Sequence, residues 1–269
     1  MKRIIKGMFF NLRMGFAIKL FSFKKSSGYY SRMKDVLVGL KKNGYCRLDK
    51  YYTNEEINDL QNECRGILDK LKLEETFLNN KYIKDTSERV DGEIKIKHIQ
   101  HISNKLKVYS NEFFFTLISF FFCGKFRIPT VFFSLVHDGN FIHKSVPGKS
   151  EARIAGPWHY DSVDHILKCF VLLDDVTPET GGETLIISDT RNKLRNIKKA
   201  NKYFHAYHQG TNEERNKHEA EIKKLNIIKD ASIKNLYGNK GDVFFLDTSN
   251  LHRGSPLKKG IKRCIWLYF

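Results

Sequence analysis

The sequence predicts a mainly β domain with flanking helices, and three observations lead there. From Arg127 onward, short β-rich runs alternate with turn signals. The runs are Ile128–Val136, Ala152–Asp161, His165–Val176, Glu183–Ser188, Asp242–Asp247 and Lys262–Phe269. Segments such as Asp174-Asp175-Val176-Thr177-Pro178 and Gly181-Gly182 part them, and strands so spaced read as a jelly roll or barrel. Before Arg127, apolar residues recur at helical spacing, so helices precede the strands. With 269 residues, 21 Phe and 12 Tyr, the chain is long enough for a substantial core and too aromatic to be disordered.

Residues 1–34 hold nine Lys or Arg and no acid. Ile4, Ile5, Met8, Phe9, Leu12, Phe16, Leu20 and Phe23 recur at nearly helical spacing, with Ile5, Phe10 and Phe21 blurring the stripe. Two readings stay open. Residues 1–25 rest on an anionic membrane surface, or the helix docks on the domain with a solvated basic face. Lys6, Arg13 and Lys19 interrupt the segment and no small-residue cleavage site follows, so it does not read as a signal peptide. No run approaches the ~18 apolar residues of a membrane span.

Tyr30–Lys42 reads as a helix stopped by Asn43-Gly44, and Tyr45–Leu48 as a short strand. Thr53-Asn54-Glu55-Glu56 is a capping box. It opens a helix with Ile57, Leu60, Cys64, Ile67, Leu68 and Leu71 on its packing face. Residues 79–101 are polar, with a turn at Asp91-Gly92. There His98 and His101 have a ligand spacing but no acid placed with them. Asn104–Cys123 reads as a helix whose Phe113-Phe114-Phe115 and Phe120-Phe121-Phe122 runs belong to a core. Arg191–Gly241 carries thirteen Lys or Arg against five acids, with a helical pattern over Glu213–Leu225. It reads as a basic insertion at 191–240, either a lid over anionic substrate or a solvated excursion. The organisation predicted is thus a basic segment, 1–34, and one domain, 35–269, bearing that insertion.

A net charge of +17 and a pI near 9.6 favour anionic partners. Small phosphorylated or carboxylated molecules, nucleic acid and an acidic membrane all qualify, and plain solubility explains the charge as well. Cys46, Cys64, Cys123, Cys169 and Cys264 are odd in number and form no CxxC. They read as thiols in a reducing compartment, so a cytoplasmic location is expected.

The stretch that carries chemistry is Gly156-Pro157-Trp158-His159-Tyr160-Asp161. On a strand, His159 and Asp161 share one face, and Trp158 and Tyr160 the other. An imidazole beside a carboxylate is two-thirds of a facial triad, and Leu251-His252-Arg253-Gly254 is the best source of the third ligand. Two His and one carboxylate leave half of an octahedral ion open, which suits non-haem Fe(II). His-x-Asp alone is weak, since this composition gives roughly half a match by chance. The order of the downstream residues strengthens it.

In that order, with Arg263 eleven residues after His252, the chain resembles the phytanoyl-CoA dioxygenase family. The likeness spans roughly residues 40–269. It includes Leu167–Val176, the Gly-Gly turn, and Gly241-Asp242-Val243-Phe244-Phe245-Leu246-Asp247 leading into Leu251–Gly254. The resemblance implies a double-stranded β-helix (jelly-roll, cupin-like) core. It also implies Fe(II) held by His159, Asp161 and His252, with 2-oxoglutarate as cosubstrate and dioxygen as oxidant. Arg263 would grip the far carboxylate of 2-oxoglutarate, because a guanidinium stays charged and binds carboxylate bidentately. A carboxylate at Asp161 fills the place that halide takes in the halogenating relatives, so hydroxylation or desaturation is expected. The family's hydroxyl residue two places after the distal His is Gly254 here, with Ser255 as the substitute.

Lys168, mid-strand among apolar neighbours, either contacts the cosubstrate or points outward. By strand parity His165 lines the substrate pocket, and His137 and His143 belong to loops near its mouth. The substrate expected is a small anionic or carrier-linked molecule, such as a sugar, lipid, acyl thioester or phosphonate. Two alternatives remain. One is an oxygenase acting on nucleic acid, for which Arg253 and Arg263 lack the paired-arginine spacing of the alkylation-repair enzymes. The other is a non-catalytic jelly-roll binding protein attached to membrane through residues 1–25.

Overall fold

The computed structural model describes residues 2–23, 28–73, 83–84, 93–106, 113–126, 128–137, 158–161, 166–190, 228 and 232–269. Helices α1 (Lys2–Phe23), α2 (Gly28–Asn43) and α3 (Asn54–Leu73) precede most of the strands, with β1 (Tyr45–Leu48) between α2 and α3. The capping box forms. Thr53 N–H donates to the Glu56 carboxylate at 2.8 Å, and Glu56 N–H to the Thr53 hydroxyl at 3.2 Å. Gly44, at φ +78°, stops α2, and its N–H donates to Leu40 O at 3.1 Å. Of the helix expected over Asn104–Cys123, residues 104–106 are helical and α4 covers Phe113–Cys123, while residues 107–112 lie outside the described residues.

The remaining strands are β2 (Ile83–Lys84), β3 (Glu93–Lys97), β4 (Thr130–His137), β5 (Leu167–Leu172), β6 (Thr184–Ile187), β7 (Ile233–Leu236), β8 (Val243–Asp247), β9 (His252–Gly254) and β10 (Ile261–Tyr268). Among the described residues they form a seven-stranded sheet, β1-β8-β5-β10-β4-β3-β2, and a three-stranded sheet, β7-β6-β9. The strand pairs are antiparallel.

Alternation divides the large sheet between two cores. On one face Leu167, Cys169, Val171, Phe245, Ile265 and Leu267 pack with the helices through Met33, Leu37, Leu40, Ile57 and Phe115. On the other, Phe170, Leu172, Phe244, Leu246 and Cys264 meet Ile186 and Leu236 of the small sheet. The two antiparallel sheets therefore enclose an inner layer, and the helices cover the large sheet from outside. Cys64, Cys169 and Cys264 are buried, and burial raises the Cys64 thiol to about 12.

The sequence boundary of the basic insertion shifts. Ile233–Leu236, placed within 191–240 by composition, is β7 of the small sheet, pairing with β6 from Thr184↔Leu236 to Ile187↔Ile233. Lys234 and Asn235 are exposed in it, which is why it reads as polar insertion. Residues 191–227, including the helical pattern at Glu213–Leu225, lie outside the described residues, as do His143, residues 152–157 and His165.

The helix at the start of the chain docks, but by a different face from the one its sequence suggests. Phe10, Met14, Ala17 and Phe21 are buried, so two of the residues that blur the stripe make the contact. Met8, Phe9, Leu12, Phe16 and Leu20 of the stripe face water. No helix among the described residues is long and apolar enough to cross a membrane.

Candidate metal centre

Backbone pairing brings the ligands together. His159 and His252 form an antiparallel bridge, His159 N–H to His252 O at 3.0 Å and His252 N–H to His159 O at 2.9 Å. Asp161 N–H donates to Thr248 O at 2.9 Å. Segment 158–161 therefore runs alongside 248–252. On its other edge β9 pairs with β6, with Ile186 opposite His252. Trp158 and Tyr160 take the alternate face, as predicted, and bury with Leu185, Ile187 and Leu251.

The side chains converge as the sequence predicts. One ligand atom each from His159, Asp161 and His252 lie within 4.8 Å of one another. His159 Nε2 is 3.8 Å from Asp161 Oδ1, and His252 Nε2 is 3.6 Å from Asp161 Oδ2. The imidazole rings lie 4.3 Å apart, centre to centre.

The His252 tautomer follows from its partner. Nδ1 lies 2.9 Å from the Asn250 carbonyl oxygen, which only accepts, so Nδ1 carries the proton and Nε2 presents its lone pair. Burial lowers the His252 pKa from its ordinary value, against the opposing pull of Asp161, and so favours the neutral, ligating form. Asn250 is itself fixed in the turn after β8. Its backbone N–H and side-chain amide both donate to Asp247 O, at 3.1 and 3.2 Å. Nothing in the sequence marks Asn250 beyond its place two residues before His252.

Lys168 faces the triad. Its Nζ lies 2.5 Å from Asp161 Oδ2 and 4.3 Å from the ring centre of Tyr268, its cross-strand neighbour. Burial alone would raise the Asp161 carboxyl, but Lys168, His252 and His159 outweigh it and hold the group well below the usual carboxylate range. Burial likewise disfavours the Lys168 charge, and Asp161 more than restores it.

Arg263 goes elsewhere, which corrects the expectation that it points into the barrel. It does share a face with Ile265 and Leu267, but that face turns toward the helices. Its Nε and Nη2 donate to the Asp174 carboxylate at 2.9 and 2.5 Å, and its backbone N–H to the same carboxylate at 2.8 Å. The Asp174 hydrogen bonds raise the guanidinium pKa further. Gln61 of α3 also reaches Asp174, at 3.4 Å. Ser255 follows β9, where its backbone N–H donates to Glu183 O at 2.8 Å. His98 precedes and His101 ends the 3-10 turn Ile99–His101, their ring centres 6.0 Å apart. His137 ends β4 rather than sitting in a loop.

No protein-family model matches the chain, and no curated protein matches it. Solved structures do. The non-haem α-ketoglutarate-dependent carbocyclase SnoK of nogalamycin biosynthesis is similar at TM-score 0.59 and 12% identity, over 87% of this chain and 82% of that one. The epimerase SnoN, in complex with Fe3+, α-ketoglutarate and nogalamycin RO, is similar at 0.57 and 10% identity, over 88% and 83%. EctD from S. alaskensis, with 2-oxoglutarate and 5-hydroxyectoine, is similar at 0.53 and 16% identity, over 86% and 73%. The chain shares its fold with these three proteins. The donor set of His159, Asp161 and His252 fits the 2-His-1-carboxylate iron site that such chemistry needs.

Proposed function

We propose that this chain is an Fe(II)- and 2-oxoglutarate-dependent oxygenase of the phytanoyl-CoA dioxygenase type that hydroxylates a small anionic or carrier-linked molecule. The observation that carries the reading is the convergence of two imidazoles and one carboxylate within 4.8 Å, in a fold that binds iron and 2-oxoglutarate in its solved relatives. His159, Asp161 and His252 would hold the ion. Iron and 2-oxoglutarate, when bound, supply oxidation of a C–H bond by dioxygen, with succinate and carbon dioxide as co-products.

The chain's own residues do the positioning. Asn250 fixes the His252 ring so that Nε2 faces Asp161. Lys168 is the buried cation turned toward the triad, and it supplies the counter-charge for a carboxylate of the cosubstrate. Phe170, Phe244 and Leu246 pack the inner layer and exclude water from its floor. Asp161 occupies the ligand position with a carboxylate, which favours hydroxylation over halogen transfer. The net charge of +17 favours an anionic substrate.

Succinate release, screened against pools of sugars, lipids, acyl thioesters and phosphonates, tests the reading. The expected result is stimulation by one pool, lost in Asp161→Ala, with a product heavier by one oxygen atom. No stimulation above the Asp161→Ala background in any pool would contradict the proposed substrate classes. The fold also hosts a carbocyclase and an epimerase, so the product's mass, rather than succinate alone, distinguishes hydroxylation.

A further inference from the structure

The helix α1 carries two apolar faces, and the domain uses one. Phe10, Met14, Ala17 and Phe21 are buried against the helical layer. Phe10 meets Phe122, and Phe21 meets Phe121 and Tyr30, at ring-centre distances of 5.4 to 5.8 Å. Arg13 fastens the helix further, since its Nε and Nη2 donate to the carbonyls of Phe121 and Phe122 at 2.7 Å each. These are orphan carbonyls at the C-terminal end of α4. The helix is thus held in a fixed orientation.

That orientation turns the other face outward. Met8, Phe9, Leu12 and Phe16 are 61–67% exposed, and Leu20 is 38% exposed. At about 100° per residue they fall within an arc of roughly 120° on the side opposite the docked residues. Beyond α4, whose last turn Arg13 grips, Phe126 and Ile128 are exposed as well. A run of large apolar side chains in water marks a surface that something covers.

Charge says what covers it. Residues 1–34 carry nine Lys or Arg and no acid, and Lys19 is exposed on the same arc. A second copy of this helix would bring one all-basic surface against another. An anionic bilayer offers acyl chains to the apolar arc and headgroup charge to the lysines, worth about 1 kcal/mol for each basic residue near the surface. The helix is interrupted by charge and too polar to span, so it lies in the interface. We propose that the outward face of α1, through Phe9, Leu12 and Phe16, docks the protein on anionic lipid.

Co-sedimentation of the full chain with vesicles tests this. The comparison is between phosphatidylcholine alone and the same lipid with about 30% phosphatidylserine, at about 0.1 M and about 0.5 M salt. The expected result is binding to the anionic vesicles that weakens with salt and falls at least ~10-fold in a Phe9→Ser/Leu12→Ser/Phe16→Ser variant. A second variant, Leu12→Trp, should show blue-shifted emission and quenching by brominated lipid beyond that of the wild-type chain. No binding to anionic vesicles, or a Trp at position 12 that stays solvent-exposed on them, overturns the proposal. So does a concentration-dependent dimer that the triple variant abolishes, because the face would then be a protein interface.

Discussion

Arg263 clasps Asp174 through two side-chain hydrogen bonds, at 2.9 and 2.5 Å, while its own backbone N–H donates to the same carboxylate at 2.8 Å. The pair ties the start of β10 to the turn after β5, on the helical side of the large sheet. On that side of the sheet, away from His159, Asp161 and His252, Arg263 fastens the fold. Arg263→Gln should therefore lower stability by about 2 kcal/mol, the scale of a lost charge-assisted pair, and leave 2-oxoglutarate affinity within about twofold of wild type. Thermal melts and cosubstrate titrations read the two separately. A stable Arg263→Gln protein that no longer binds 2-oxoglutarate would return Arg263 to the site.

Lys168 is the complementary case. Its ammonium is buried at 2.5 Å from Asp161 Oδ2 and packed on Tyr268. Lys168→Met keeps the stem and removes the charge. We expect 2-oxoglutarate binding to weaken by roughly 10- to 100-fold, the loss of one charged hydrogen bond worth about 1.5–3 kcal/mol. Iron should still bind, because all three ligands remain. Calorimetric titration of each component separately checks this, and unchanged cosubstrate affinity would remove Lys168 from the site.

Gly44 reaches the metal centre through Asn250. It sits at φ +78°, and an added Cβ would lie 2.5 Å from Asn250 Nδ2. Its carbonyl also accepts the Asp247 N–H at 2.8 Å. Gly44→Ala should cost about 1–2 kcal/mol for the left-handed backbone. It should also displace the Asn250 carbonyl that holds His252, weakening metal affinity by about 10-fold, the usual effect of disturbing a residue behind a ligand. Metal affinity unchanged in a destabilised Gly44→Ala protein would show that Asn250 does not set the ring.

The triad was legible because it rests on local parity and on one distant His beside a Gly. Two residues on a strand share a face whatever surrounds them, so His159 and Asp161 needed no tertiary information. The direction of Arg263 did need it. Both faces of β10 are apolar, with Cys264 turned inward and Ile265 and Leu267 outward. Parity groups Arg263 with Ile265 and Leu267 but says nothing about which core they enter. The register Arg263↔Leu135 decides it. α1 failed in the same way, since a helix apolar on two sides does not announce which side docks. β7 was lost because Leu236 is its one buried residue among exposed Lys234 and Asn235, and a short polar edge gives no alternation to read.

His159, Asp161 and His252 are proposed to hold one ferrous ion open to 2-oxoglutarate. Anaerobic addition of Fe(II) and 2-oxoglutarate to the pure, reduced protein measures this through the weak visible charge-transfer band of the chelate. The expected band saturates at one iron per chain and is absent in Asp161→Ala and His252→Ala variants that still fold. A wild-type protein that binds no iron, or that gives the same band after either ligand is removed, would contradict it.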